Sequence, residues 1–110
     1  MKLNVSGKKI FGNGISFDSE HPALQAVLIN ERVMVIFDWM AFERDIPARN
    51  LFCYDRSGNL LWRAPDIRMG AIDAYTGVTS EEPLWVGNFA GFSCRIDEAS
   101  GQVLETRFTK

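Results

Sequence analysis

A chain of 110 residues with 46% hydrophobic and 24% charged side chains is long enough for one domain with its own core and too apolar to be mainly disordered. A formal net charge of -2 with scattered Lys and Arg disfavours a nucleic-acid-binding face. The first residues lack the apolar stretch of a signal peptide and no window reaches the length of a membrane span, so the expectation is a cytoplasmic protein without membrane contact.

In chain order, residues 2–17 read as short strands: Lys2–Val5, Lys8–Phe11 after the turn Ser6-Gly7, and a strand from Ile15 after Gly12-Asn13-Gly14. Asp18–Pro22 reads as a polar, solvated loop. It holds the only histidine, His21, whose spacing to Asp18 and Glu20 suits no recurrent metal-ligand pattern. Ala26–Ile29 and Val33–Phe37 are apolar runs. An amphipathic helix competes for Ala23–Asn30, but Val27, Ile29, Val33, Val35 and Ile36 are β-branched and favour strands. Both faces of Val33–Phe37 are apolar, which predicts a central strand covered on both sides.

Asn50–Arg63 spells a hairpin, with Leu51–Asp55 running out, Arg56-Ser57-Gly58-Asn59 turning and Leu60–Arg63 returning. From Ala64 to Pro83 alternation is lost; a connection this long should hold an element of its own, at Ala71–Tyr75 or Gly77–Thr79. Leu84–Asn88, Phe92–Asp97 and Val103–Phe108 are the closing strands. The last alternates between Val103, Glu105, Arg107 and Leu104, Thr106, Phe108, as a half-exposed edge strand does. Cys53 and Cys94 fall inside predicted strands without Cys-x-x-Cys spacing and read as buried free thiols.

The second half repeats the first. Asp55 aligns with Asp97 and Gly58 with Gly101, while Val27–Val35 aligns with Val78–Val86 at a longer offset, which places an insertion in the first unit at residues 39–49. The expected organisation is one all-β domain, 1–110. It comprises an N-terminal hairpin (1–25), a first blade-like antiparallel meander (26–63) and a second (77–108), closing as a sandwich or a barrel.

The segment Leu84–Leu104, with its strand, Gly turn, strand ending in Asp97, Ser100-Gly101 turn and final strand, resembles the blade repeat of quinoprotein-type (PQQ-like) β-propellers. Asn50–Trp62 is similar, and Trp62 falls where that family's docking tryptophan ends a blade. Glu105 and Ser100 depart from the pattern. The likeness spans roughly residues 26–107 and implies blade-like sheets, but two units cannot close a propeller ring, whose minimum is about four blades. Nothing matches a quinone site, so no cofactor is expected.

No catalytic or metal constellation rises above background. The aspartates show no paired spacing, and Asp55 and Asp97 sit where a turn aspartate bonds its own backbone. One histidine leaves a serine or cysteine nucleophile without a base. The insertion is the informative stretch: Trp39, Met40 and Phe42 beside Arg44 and Asp45 have the composition of a binding hot spot, although Trp39 and Phe42 would equally serve as a core cap. The expected function is a non-enzymatic module that docks another protein through its loops, with homo-oligomer formation through open sheet edges as an added route. The alternative is a small-ligand or carbohydrate-binding domain that stacks on Trp39, Trp62 or Trp85.

Overall fold

The computed structural model describes residues 1–109. It consists of three antiparallel sheets, in each of which the strands neighbour one another in chain order. The first holds β1 (Asn4–Ser6), β2 (Lys9–Gly12) and β3 (Ile15–Asp18), so the N-terminal hairpin is extended by a third strand. The second holds β4 (Ala23–Ile29), β5 (Arg32–Phe37), β6 (Leu51–Tyr54) and β7 (Leu60–Arg63). The third holds β8 (Tyr75–Ser80), β9 (Trp85–Asn88), β10 (Phe92–Ile96) and β11 (Val103–Phe108). The segment open to a helix is strand β4, joined to β5 by a tight turn in which Asn30 and Glu31 both take positive φ. That turn matches the twist of the strands it connects and sets their register. It has to, because both faces of β5 are apolar and hydrophobicity alone would tolerate a one-residue slip.

The middle sheet is buried on both sides. Val33, Val35, Phe37, Phe52 and Tyr54 pack with Ile10 and Ile15 of the N-terminal sheet, while Met34, Ile36, Leu51, Cys53 and Trp62 pack with Tyr75, Val86, Cys94 and Ile96 of the third. Each fully buried side chain of this kind contributes roughly 1.5–3 kcal/mol. The result is a three-layer stack. The residues that the middle sheet turns toward the first layer have their counterparts in Leu84, Val86, Cys94 and Ile96, which the third sheet turns toward the middle one.

Two contacts dock the layers by the same device. Asp55 and Asp97 each accept backbone N–H groups of their own turn on Oδ1, from Ser57 and Asn59 in one case and from Ala99 in the other. Those bonds hold the Asp55 carboxyl below the usual carboxylate range, the Asn59 N–H being the main cause. Each turn ends at a glycine with positive φ, Gly58 and Gly101, and an aromatic ring of the preceding layer lies where its Cβ would be: Phe17 over Gly58, Trp62 over Gly101. Trp62 Nε1 also donates to Glu98 O at 2.9 Å.

The stack stops at the third sheet because its outer face is charged. The position corresponding to Trp62 is Glu105, which accepts from Arg107 at 2.8 Å and stands 3.6 Å from Arg95. Arg107 in turn covers the Trp85 ring, 4.7 Å from its centre. On β11 Glu105 is therefore half-buried, while Leu104 and Phe108 are exposed, at 51% and 65%. His21 departs from its expected place in a solvated loop: its ring lies 4.5 Å from that of Phe42 and 5.4 Å from that of Phe37. The half-buried imidazole lies against the edge of the first core, while Asp18, Glu20 and Pro22 around it stay exposed.

Candidate functional site

The second strand of each four-stranded sheet reaches the third differently. In the third sheet the turn Phe89–Gly91 suffices, closed by the Gly91 N–H donating to Asn88 O. In the middle sheet residues 38–50 make the connection. Asp38 caps a 3₁₀ turn, Trp39–Ala41, by accepting the Met40 N–H at 2.9 Å. The returning end is clamped by Arg63, whose guanidinium donates to Arg49 O and Ala48 O, both at 2.9 Å.

Asn50 fastens this segment to the third sheet. Fully buried, it donates from Nδ2 to Phe37 O and Tyr75 O and accepts the Tyr75 N–H on Oδ1, all at 2.8 Å. Asp73, also buried, shapes the loop before β8. Its Oδ2 accepts the N–H groups of Ile67 and Met69, and its Oδ1 accepts from Asn88 Nδ2 at 2.9 Å. These bonds hold Ile67–Ile72 in a turn that ends in a 3₁₀ segment, Gly70–Ile72, instead of the strand considered there. The strand forms at the second position foreseen for it, as β8.

Between the insertion and that loop lies a cavity of about 220 Å³, walled by Trp39, Met40, Glu43, Arg44, Ile46, Ala48, Ala71 and Ala74. Small alanines form the wall on the loop side and large apolar groups stand around the mouth, with Met40 and Ile46 exposed at 60% and 52%. Phe89, at the tip of the β9–β10 turn, is exposed beside it, its ring 5.6 Å from that of Trp39. Three loops at one end of the stack thus converge on one apolar opening with Glu43 and Arg44 on its rim.

Of the residues singled out from the sequence, Trp39, Met40 and Arg44 line this cavity. Asp45 is exposed but lies outside its walls. Phe42 turns the other way and joins the first core, half-buried against His21, with Arg63 Cζ 5.7 Å from its ring. The insertion therefore divides between a core cap, Phe42, and an open face, Trp39 with Met40. Of the remaining tryptophans, Trp62 is 9% exposed, docked on Gly101, and Trp85 is half-buried under Arg107. Neither presents a free ring face for stacking.

The family model for a domain of unknown function (DUF7957) matches residues 1–108. The chain belongs to that family. No curated protein matches it, and no solved structure does.

Sequence reasoning missed Ala71, Ala74 and Phe89 as neighbours of the insertion, and Asn50, Asp73 and Asn88 as the polar frame behind it. The available signal was weak: three short amide or carboxylate side chains flank apolar strands, where an unpaired polar group would be costly. Among the described residues, no group of three His, Cys, Asp or Glu is placed to hold a metal ion, and no helix is long and apolar enough to cross a membrane.

Proposed function

We propose that this chain is a non-enzymatic protein-interaction module that receives one apolar side chain of a partner protein in the Trp39 cavity. The observation that carries this reading is the exposure of Met40 and Ile46 around a walled opening in a segment that the sister sheet does without. Exposed apolar side chains gathered at a concave site gain free energy only when something covers them. The size of the cavity favours a protein partner over a small ligand, because about 220 Å³ suits one side chain and falls below the roughly 300–1,000 Å³ usual for ligand sites. Glu43 and Arg44 on the rim would set the orientation of the partner rather than supply most of the affinity. The two free, buried thiols suit a reducing compartment such as the cytoplasm.

The test is quantitative capture of a partner by wild type, by Met40→Asp with Ile46→Asp, and by Leu60→Asp as an exposed control on β7. Binding is expected to weaken at least about tenfold in the double variant and to stay unchanged in the control. A folded double variant that binds the same partner as tightly as wild type would remove the cavity from consideration.

A further inference from the structure

Each sheet ends in a strand with one open edge: β3, β7 and β11. The first strands are engaged, β4 by Met1–Leu3 through the Leu3 N–H to Ala26 O and the Leu28 N–H to Met1 O, and β8 by the side chains of Gln25 and Asn50. Of the three open edges only β11 can pair with itself in a complementary way. We infer that β11 is a dimerisation strand, and that two copies of the chain join edge to edge about a two-fold axis at Thr106.

The backbone pattern fixes which groups are available. Thr109 donates to Gly91 O, so the residues of β11 at alternate positions from it, Arg107 and Glu105, are the ones bonded to β10 across the pairs Ser93–Arg107 and Arg95–Glu105. Thr106 and Phe108 consequently direct their N–H and C=O groups away from the sheet, whereas Leu104 is the extra residue of a bulge opposite Arg95 and Ile96. An antiparallel partner centred on Thr106 would place Thr106 opposite its own copy, joined by two backbone hydrogen bonds, with Phe108 opposite Leu104 on either side. At the intervening positions, where side chains on opposed strands come closest, Glu105 of one copy would face Arg107 of the other, twice.

Side-chain chemistry supports the same register. Leu104 and Phe108 are among the most exposed apolar residues of the chain, and the Phe108 ring stands 5.4 Å from that of Phe92. Pairing would set the partner's Leu104 beside Phe108 and extend that apolar row across the seam. Val103–Phe108 holds no proline or lysine, and its one bulge, at Leu104, leaves the stretch Glu105–Phe108 regular. The other edges do not match themselves. Folded back on itself, β3 would set Ile15 against Asp18, and β7 centred on Trp62 would set Leu61 against Arg63, whose guanidinium is already committed to Ala48 O and Arg49 O. One strand's seam falls below the roughly 1,200 Å² of a standard interface, so the dimer should be weak and its population should depend on concentration.

Sedimentation velocity over a wide concentration range tests this on the whole chain. Wild type should pass from monomer to dimer as concentration rises; a monomer throughout overturns the inference. Thr106→Pro, which removes an outward N–H without touching the bonds to β10, should weaken the dimer at least about tenfold. Glu105→Arg and Arg107→Glu should each be monomeric alone, facing like charge across the seam, and should dimerise when mixed, since the mixed pair restores every opposite-charge contact. Circular dichroism and melting temperature establish that each variant is folded. Should a single substitution unfold the chain, oxidative cross-linking of Thr106→Cys, with Thr76→Cys as exposed control, reads the same geometry. A dimer that survives Thr106→Pro and both charge reversals, or cross-linking no better than that of the control, would place the interface elsewhere.

Discussion

Sheet β4–β7 and sheet β8–β11 run through the same strand order, close their last hairpin on the same aspartate turn and offer the same face to the layer before them, yet they part in two places. The first is the crossing from second to third strand, residues 38–50 in one and Phe89–Gly91 in the other. The second is the far face, where Met34, Ile36, Cys53 and Trp62 stand against Trp85, Gly87, Arg95 and Glu105. An apolar far face must be covered by another layer, whereas a face crossed by the Arg95–Glu105–Arg107 pairs can meet water. The stack therefore ends by composition. The longer crossing contributes Phe42 and Asn50 to the fold, and spends Trp39, Met40 and Ile46 on an opening that the shorter crossing shows to be dispensable for closing a sheet.

The comparison breaks most visibly at Asn50, whose position in the third sheet is taken by Phe92. Asn50→Ala would leave Phe37 O and both backbone groups of Tyr75 buried without partners, at a cost of about 3 kcal/mol or more in urea unfolding. A loss below about 1 kcal/mol would mean that water or a backbone shift replaces the amide. The paired glycines come next. Gly101→Ala should cost about 2–4 kcal/mol, because the new methyl meets the Trp62 indole and the backbone has positive φ. Gly58→Ala should cost less, since the added Cβ would meet Phe17 at 2.8 Å, a milder clash than that with the Trp62 indole at Gly101, and Phe17 is only half-buried. Equal and negligible costs would end the claim that the two turns are docked by one device.

A smaller effect belongs to the core shared by the two sheets. Burial pushes the Cys53 thiol up to about 12 and the Cys94 thiol up to about 11, while burial lifts the Tyr54 phenol to about 12 in the core behind them. The unfolded chain releases these protons first, near 9 for the thiols and 10 for the phenol. Stability from these groups is thus complete below about pH 9 and falls as pH rises toward the folded values. Urea midpoints measured between about pH 8 and 11 should decline, and Cys53→Ala and Cys94→Ala should each flatten the decline. The smallest change expected is at Tyr54, whose buried hydroxyl has no hydrogen-bond partner among the described residues. Tyr54→Phe should stabilise by up to about 1 kcal/mol; a clear loss would mean that the hydroxyl is satisfied by water.

Much of the architecture was legible because turns and strand alternation are local properties. Asn30-Glu31, Asp55–Asn59 and Asp97–Gln102 are turn sequences whose side chains or φ preferences act within five residues, and the apolar runs between them can only be strands if both faces are to be covered. The insertion was legible as an interruption of the repeat. Its division was not, since nothing local tells Phe42 to fold back on His21 while Trp39 faces Phe89. The loop at Ala71 and the tip at Phe89 likewise became its neighbours only through the stacking of the sheets.

What the amino-acid order determined by itself is the pair of meanders, their turns and the absence of a second insertion, because each rests on interactions between residues a few places apart. Only the tertiary structure decided which side of β11 is left bare, and which loops meet at the Trp39 cavity. Both depend on how layers with nearly interchangeable apolar faces come to rest on one another, and burial, being non-directional, does not write that outcome into any single segment.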